Sequence, residues 1–292
     1  TNIIVDNCSF SNIHSTILKV EYSDNVSFVN NTIKDCFGRG VWAWYTSKNI
    51  KVEGNTFSRS ILRSDNVPCI SCKCEDYYIA GNTFEDFGSS AISVGIKYTN
   101  NVSYRSYGII EYNQIRYSQR YADFMKKYSS TDGGAIYTST RNDSAVIRYN
   151  FVDNYCGIKS KRSLYCDDGA SNVKIYGNVF HQGDETPAVF GWRCKKADST
   201  CLANSGIIFK HNVIWGKYYF DERPNGGCIH DTNVIIYDTR RPNNTLNNFS
   251  SLGNDVYISG ASIEEGKLKV SKRNRGVIEQ LLTYKGMARW IK

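Results

Sequence analysis

The chain has 292 residues, of which 41% are hydrophobic and 13% aromatic, and a net charge of +8. This composition supports a sizeable core and excludes a disordered polar chain, and no run approaches the ~18 apolar residues that a membrane span requires. Residues 261–292 contribute +5 of the charge, so the body has too little excess charge to predict a nucleic-acid surface.

A short pattern recurs from the first residues onward: alternating apolar residues, a small or polar residue, an asparagine, then another apolar pair. A partial copy stands at Asn7–Phe10. Full copies are Val26–Ile33, Ile50–Phe57, Tyr77–Phe84, Gly108–Ile115, Ala145–Val152, Val173–Phe180 and Ile207–Ile214. The anchoring asparagines are Asn7, Asn31, Asn55, Asn82, Asn113, Asn150, Asn178 and Asn212.

The repeat indicates stacked coils of short strands. Alternation of period two places every second side chain on one face of a strand. Asparagine tolerates the left-handed conformation of a tight turn, and stacked asparagine amides bond from one coil to the next. The shortest spacing, 24 residues, is too short for a strand-helix-strand unit and suits three strands and three turns.

We therefore predict an all-β chain, a right-handed parallel β-helix (a solenoid) with long inserted loops and a short C-terminal helix. The β-helix is expected over residues 1–240 and a capping or tail segment over residues 241–292. The alternative, an antiparallel sandwich with Asn-rich hairpins, would not require the same hexad before every asparagine.

The sequence also predicts how each end of the solenoid is covered. The chain begins directly in strand-like sequence at Thr1–Val5, so the first coil is uncapped or covered by another segment or subunit. The spaced apolar residues of Arg275–Lys292 predict an amphipathic helix that closes the solenoid end or binds a neighbour. Self-association through the first coil or the basic tail is a possible consequence.

One sheet is expected to carry aromatic residues on its outer face. The strands Val41–Trp44, Ile136–Ser139, Leu164–Asp167 and Ala188–Trp192 align when coils are counted back from each asparagine. Inward Val41, Ile136 and Leu164 leave these side chains pointing outward: Trp42, Trp44, Tyr137, Tyr165 and Asp167. Trp192, on the aligned strand of the next coil, is a further predicted substrate-binding residue. Exposed rings stack on sugar faces, so this wall predicts polysaccharide binding, unless inserted loops cover the rings.

Acidic residues next to glycine lie at this wall. Asp132 precedes one wall strand, whereas Asp167 and Asp168 end the next, and Glu185 precedes a third. Glycosidases need two carboxylates about 5–9.5 Å apart, one acid and one nucleophile or base. Asp132, Asp167 and Asp168 are the predicted catalysts, with Glu185 as the fallback partner because ideal strands separate Asp132 from Asp167 by about 16 Å. Ordinary turn chemistry is the competing explanation.

A second chemistry also fits this region. Lys159 and Arg162 precede the Asp pair, and a lyase acting on a uronic glycan uses a basic residue to remove the proton at C5. In that case Asp167 and Asp168 are candidate calcium ligands. Otherwise no cofactor or metal is predicted.

The cysteines and glycosylation sequons predict a secreted protein with disulfides. There are ten cysteines, and the candidate bridges are Cys194–Cys201 and Cys156–Cys166. The sequon asparagines are Asn7, Asn25, Asn30, Asn101, Asn142, Asn243 and Asn248.

The asparagine hexads resemble the pectate-lyase-like superfamily of right-handed parallel β-helices. Asp132–Tyr137 and Leu164–Ser171, followed by Val173–Phe180, resemble its glycoside-hydrolase-like branch. The resemblance covers residues 1–237 and implies acidic catalysts on the helix wall at Asp132, Asp167 and Asp168. Three functions remain open: a secreted glycoside hydrolase, a polysaccharide lyase, and a non-catalytic glycan-binding or structural solenoid that assembles end to end.

Overall fold

The computed structural model describes most of the chain. The described residues are 2–44, 46–60, 67–95, 106–121, 123, 133–139, 144–153, 162–167, 170–181, 188–190, 205–215, 218–221, 228–237, 246–247, 250–251, 254–281 and 285–292. For residues 188–190, 218–221, 246–247, 250–251 and 285 only the backbone is described.

The chain winds as a right-handed parallel β-helix, as predicted, with strands numbered in chain order. The first sheet contains β1 (Ile3–Asp6), β4 (Asp24–Val29), β7 (Lys48–Glu53), β10 (Glu75–Ala80), β13 (Tyr107–Glu111), β16 (Ser144–Arg148), β19 (Val173–Tyr176), β22 (Ile208–Lys210), β25 (Ile229–Asp231) and β28 (Ser250–Ser251). The second contains β2 (Ser9–Ser11), β5 (Thr32–Lys34), β8 (Thr56–Ser58), β11 (Thr83–Glu85), β14 (Gln114–Arg116), β17 (Phe151–Asp153), β20 (Val179–His181), β23 (Val213–Trp215), β26 (Val234–Tyr237) and β29 (Val256–Ser259). The third contains β3 (Leu18–Val20), β6 (Val41–Ala43), β9 (Ile70–Cys72), β12 (Ile92–Val94), β15 (Ile136–Ser139), β18 (Leu164–Asp167), β21 (Ala188–Phe190), β24 (Tyr218–Asp221) and β27 (Leu246–Asn247).

Every third strand pairs in parallel, so each coil contributes one strand to each sheet. The sheets continue past residue 240 through β27, β28 and β29. After them come an antiparallel hairpin, β30 (Ala261–Glu264) and β31 (Lys267–Val270), then helix α1 (Lys272–Leu281) and a 3-10 helix (Lys285–Trp290). In the described part of the chain no helix is long and apolar enough to cross a membrane.

A ladder of buried asparagines joins the coils at the corner between the first and second sheets. The amide nitrogen of Asn113, for example, donates to Asn150 Oδ1 at 2.9 Å in the next coil and to the Ile79 carbonyl at 3.0 Å in the preceding one. Its own oxygen accepts from the backbone and side-chain nitrogens of Asn82. The ladder asparagines are Asn31, Asn55, Asn82, Asn113, Asn150, Asn178, Asn212 and Asn233, and Asp255 ends the series.

Two details of the predicted ladder are wrong. In the first coil the ladder position belongs to Cys8, whose backbone N–H donates to Asn31 Oδ1, and Asn7 lies one residue earlier. The left-handed residue is likewise not the ladder asparagine but the residue before it, such as Gly54 or Tyr112. The ladder side chain turns inward to bond neighbouring coils, whereas its left-handed neighbour points out at the corner.

The C-terminal segment lies along the outer face of the second sheet rather than over the last coil. Outward-facing apolar residues of that sheet form a separate core with the tail. Trp290 packs 5.4 Å from Phe151, and its Nε1–H donates to the Tyr149 carbonyl at 2.7 Å. Gly286 lies against the Tyr149 ring, where a Cβ would approach ring carbons to within 2.8 Å.

We predict that Asn113→Ala lowers the free energy of unfolding by about 3–5 kcal/mol, because it leaves several buried polar groups of neighbouring coils without partners. Denaturant unfolding measures the change. The control is Asn254→Ala, since exposed Asn254 makes one bond to Asp231 at 3.1 Å and its loss should cost about 1 kcal/mol or less. Equal losses for the two variants would contradict a stabilising ladder.

We also predict that Trp290→Ala lowers the free energy of unfolding by about 3 kcal/mol, because it opens a cavity between the tail and the second sheet. Arg275→Ala is the matched tail control, since the exposed Arg275 side chain forms an exposed ion pair with Glu279 and its loss should change stability by less than about 0.5 kcal/mol. If Trp290→Ala unfolds like the unmodified protein, the tail does not dock in solution.

Candidate functional site on the third sheet

The third sheet places the predicted wall residues outside the tube. Val41, Ile136 and Leu164 are buried in the inner core, so their strand neighbours face outward as predicted. Parallel pairing aligns the outward side chains into one row along the tube, which contains Lys19, Trp42, Ser71, Ser93, Tyr137 and Tyr165.

Four side chains converge at the C-terminal part of this row. The Tyr137 hydroxyl donates to Asp167 Oδ2 at 2.9 Å, and the Tyr137 and Tyr165 rings meet edge to face at 5.3 Å. The Arg162 guanidinium lies 3.7 Å above the Tyr165 ring. We call Tyr137, Arg162, Tyr165 and Asp167 the Tyr137 cluster.

The Tyr137 cluster is less exposed than the sequence suggested. Tyr165 retains 8% of its surface and Asp167 only 2%, so the expectation of a bare aromatic ring beside an exposed acid is wrong. Tyr137 and Arg162 are half-buried and remain partly accessible. A substrate on this face would meet the Tyr137 hydroxyl, with the Asp167 carboxylate behind it. A phenol in that position can act as a general acid or base.

The glycine of the Asp-Gly-Gly motif has a packing role. A Cβ on Gly134 would lie 2.9 Å from Tyr165 Cβ and 3.1 Å from its backbone nitrogen. Only glycine therefore lets this turn approach β18 so closely. Part of the motif that resembled a catalytic signature is thus explained by coil stacking.

Several predicted site residues lie outside the described residues. They are Asp132, Lys159, Asp168, Glu185 and Trp192. The predicted carboxylate pair therefore remains a prediction, with Asp167 as its one described member. Within the described residues no three His, Cys, Asp or Glu groups converge as metal ligands, and the Asp167 carboxylate is bonded to Tyr137. The calcium site stays a prediction, because its other candidate ligand, Asp168, lies outside the described residues.

The predicted disulfides also remain predictions. Cys156, Cys194 and Cys201 lie outside the described residues. Cys166 lies on the inner face of β18, where burial raises the pKa of its thiol well above the usual range. Of the glycosylation candidates, Asn7, Asn25 and Asn30 are exposed residues with left-handed backbone conformations, and Asn101, Asn142, Asn243 and Asn248 lie outside the described residues.

His181, a neighbour of Glu185 in the sequence, belongs to a different face. Its Nδ1 lies 2.6 Å from Asp153 Oδ1, and its ring packs 4.2 Å from Trp215. These three side chains belong to β17, β20 and β23 of the second sheet. The His181–Asp153 pair therefore does not contribute to the third-sheet wall.

A second group of side chains lies toward the N-terminal end of the third sheet. The Arg39 guanidinium lies 4.7 Å and Lys19 Nζ 5.0 Å from the Trp42 ring, and the Trp44 ring meets Trp42 edge to face at 5.5 Å. We call these four residues the Trp42 cluster. Sequence alignment of the coils placed both tryptophans on this wall but missed Arg39, which belongs to the turn before β6.

Comparisons with known proteins add little to this geometry. No protein-family model and no curated protein matches the chain. Among solved structures, an alginate lyase in complex with G6 matches over 93% of this chain and 86% of its own, with 10% sequence identity and a TM-score of 0.39. A score this low supports no conclusion about activity, and the fold assignment rests on the strand order.

We predict that Tyr137→Phe lowers the free energy of unfolding by about 1–2 kcal/mol, because the buried Asp167 carboxylate loses a hydrogen-bond donor. Tyr107→Phe is the control, since the Tyr107 hydroxyl lies 3.5 Å from Glu75 Oε1, at the long limit of a hydrogen bond. Denaturant unfolding of both variants checks the prediction, and a smaller loss for Tyr137→Phe than for Tyr107→Phe would contradict it.

Proposed function

We propose that this protein is a secreted carbohydrate-active enzyme that binds an extracellular polysaccharide along the outer face of the third sheet. The observation that carries the proposal is the Tyr137 hydroxyl, half-buried on that face and held by the buried Asp167 carboxylate. Aromatic rings beside a polar group that can transfer a proton suit a site that grips a sugar and cleaves its linkage.

The geometry favours a polysaccharide lyase acting on a uronic glycan. Asp167 is bonded and nearly inaccessible, which suits a carboxylate that orients Tyr137 better than one that attacks a sugar. In such a reaction a base removes the C5 proton, a C4–C5 double bond forms, and the C4–O bond breaks as its oxygen takes a proton. Tyr137 would supply that proton once its O–H turns from Asp167 to the leaving oxygen, Arg162 would neutralise the uronate, and Lys159 is the candidate base that accepts the C5 proton.

A glycoside hydrolase is the second candidate. Its support is that Asp167 lies on the wall at the end of β18, where the sequence predicted a catalytic carboxylate. This reaction requires a second carboxylate about 5–9.5 Å away, for which Asp132, Asp168 and Glu185 are the candidates. The two chemistries differ in product, because only elimination leaves an unsaturated sugar.

Secretion is part of the proposal. N-glycans require accessible asparagines; Asn25 is exposed within β4, and Asn7 and Asn30 are exposed at corners of the first two coils. A glycan at these corners would extend away from the sheets without breaking strand pairing. Disulfides at Cys194–Cys201 and Cys156–Cys166 would accompany the same oxidising route.

We expect the unmodified protein to release reducing ends and an ultraviolet-absorbing unsaturated product from alginate, polygalacturonate or chondroitin sulfate. Tyr137→Phe should lower kcat by about 10²- to 10⁴-fold, because the proton donor is lost while the aromatic ring remains. Both products are measured for each polysaccharide by continuous absorbance and a reducing-sugar assay.

Tyr107→Phe, on the first sheet, is the matched control and should retain full activity. Reducing ends without the unsaturated product, abolished by Asp167→Asn, would favour the hydrolase over the lyase. If none of these polysaccharides yields either product, the protein is not the proposed enzyme, and the non-catalytic solenoid becomes the better explanation.

A further inference from the structure

The Trp42 cluster contains a cation that no described carboxylate neutralises. Arg39 is half-buried, and its Nε is fully buried without a hydrogen-bond partner. Burial lowers the pKa of the Arg39 guanidinium, which marks an environment that disfavours its charge. Within the described residues no carboxylate forms an ion pair with Arg39, whereas Lys19 pairs with Glu21 at 3.0 Å.

Such an arrangement is costly for the folded chain by itself. Removing a guanidinium from water is unfavourable unless hydrogen bonds or an opposite charge replace the water. The Trp42 ring offsets part of the cost through a cation–π contact, but it accepts none of the guanidinium hydrogen bonds. Among the described residues, nothing supplies the opposite charge that would compensate the Arg39 guanidinium.

We infer that the Trp42 cluster is a binding subsite for an anionic group, a carboxylate or a sulfate, on the polysaccharide that the third sheet is proposed to bind. A guanidinium presents its donors as a planar fork that matches the two oxygens of such a group. Trp42 and Trp44 supply apolar ring surface for the sugar that carries it. The inference rests on the proposed function, because both place the polysaccharide on the same sheet.

The two clusters lie in one row of outward positions, although Ser71 and Ser93 between them are buried. Trp42 is in β6 and Tyr165 in β18, and the intervening strands β9, β12 and β15 pair between them in unbroken register. Four coil steps of ~4.8 Å separate them by about 19 Å. The small residues Ser71 and Ser93 occupy the row between the clusters. Each cluster therefore meets the polysaccharide as a separate contact, with a cation stacked on an aromatic ring at each.

Affinity electrophoresis tests the subsite without requiring turnover. The unmodified protein and Arg39→Gln are compared on native gels that contain alginate, chondroitin sulfate or the neutral glucan laminarin. The gels are run at about 0.15 M salt, because this ionic strength screens attraction between exposed charges. We expect retardation by alginate, chondroitin sulfate or both, none by laminarin, and at least ~10-fold weaker binding for Arg39→Gln. Alginate carries carboxylates only, so retardation by alginate indicates a carboxylate. Chondroitin sulfate carries both groups, so retardation by it without retardation by alginate indicates a sulfate.

Two further variants separate a specific subsite from general charge. Lys174→Gln removes one exposed cation from the first sheet and should bind like the unmodified protein. Arg39→Lys keeps the charge but loses the fork, and it should bind more weakly than the unmodified protein. Equal losses for Lys174→Gln and Arg39→Gln would overturn the inference, as would equal retardation by laminarin or retardation by none of the three polysaccharides.

Thermal unfolding separates a ligand-binding role from a structural one. Arg39→Gln should keep or raise the melting temperature, because it removes a poorly compensated charge, whereas a structural arginine would lower it. The retarding polysaccharide should raise the melting temperature of the unmodified protein but not of Arg39→Gln. If Arg39→Gln loses binding and neither protein cleaves any polysaccharide, the subsite is supported and the enzymatic proposal is contradicted. If the unmodified protein cleaves a polysaccharide and Arg39→Gln binds it equally well, the enzymatic proposal is supported and the subsite is contradicted.

Discussion

The buried asparagine ladder is the interaction on which the rest of the structure depends. At each coil the ladder side chain satisfies backbone groups that the tight corner leaves without strand partners, and it does so with atoms of both adjacent coils. A buried amide without hydrogen-bond partners destabilises the fold. Each coil must therefore place a residue of the ladder at the same corner as the coil before it. Inserted loops change the number of residues per coil but not the position of the corner.

This constraint aligns residues that are far apart in the sequence. Because the ladder fixes where each coil restarts, the three sheets keep one register along the tube, and outward side chains form straight rows. Tyr137 and Tyr165 meet for that reason, although 27 residues separate them in the sequence. The same alignment brings Lys19 beneath Trp42 in the N-terminal part of the wall.

The ladder also explains where the tail docks. With the asparagine turned inward, the preceding left-handed residue points outward, and Tyr112 and Tyr149 stack there at 5.3 Å. Arg289 lies 5.1 Å from the Tyr112 ring, and Gly286 and Trp290 contact Tyr149. The outer face of the second sheet thus becomes a second core. On the third sheet, by contrast, the half-buried Tyr137 hydroxyl is held by a buried carboxylate, which is why we assign function to that face.

The sequence by itself determined the fold. Each buried asparagine must bond to the equivalent residue of the next coil, so the same short pattern recurs in the sequence once per coil. Alternation within each hexad likewise determined which wall side chains point outward. Tertiary structure alone decided how exposed they are: burial of Asp167 and Tyr165 depends on contacts between segments, which no local pattern encodes. It also decided that Arg39 lies on Trp42 and that the tail packs on the second sheet, since each contact joins residues whose spacing follows no repeat.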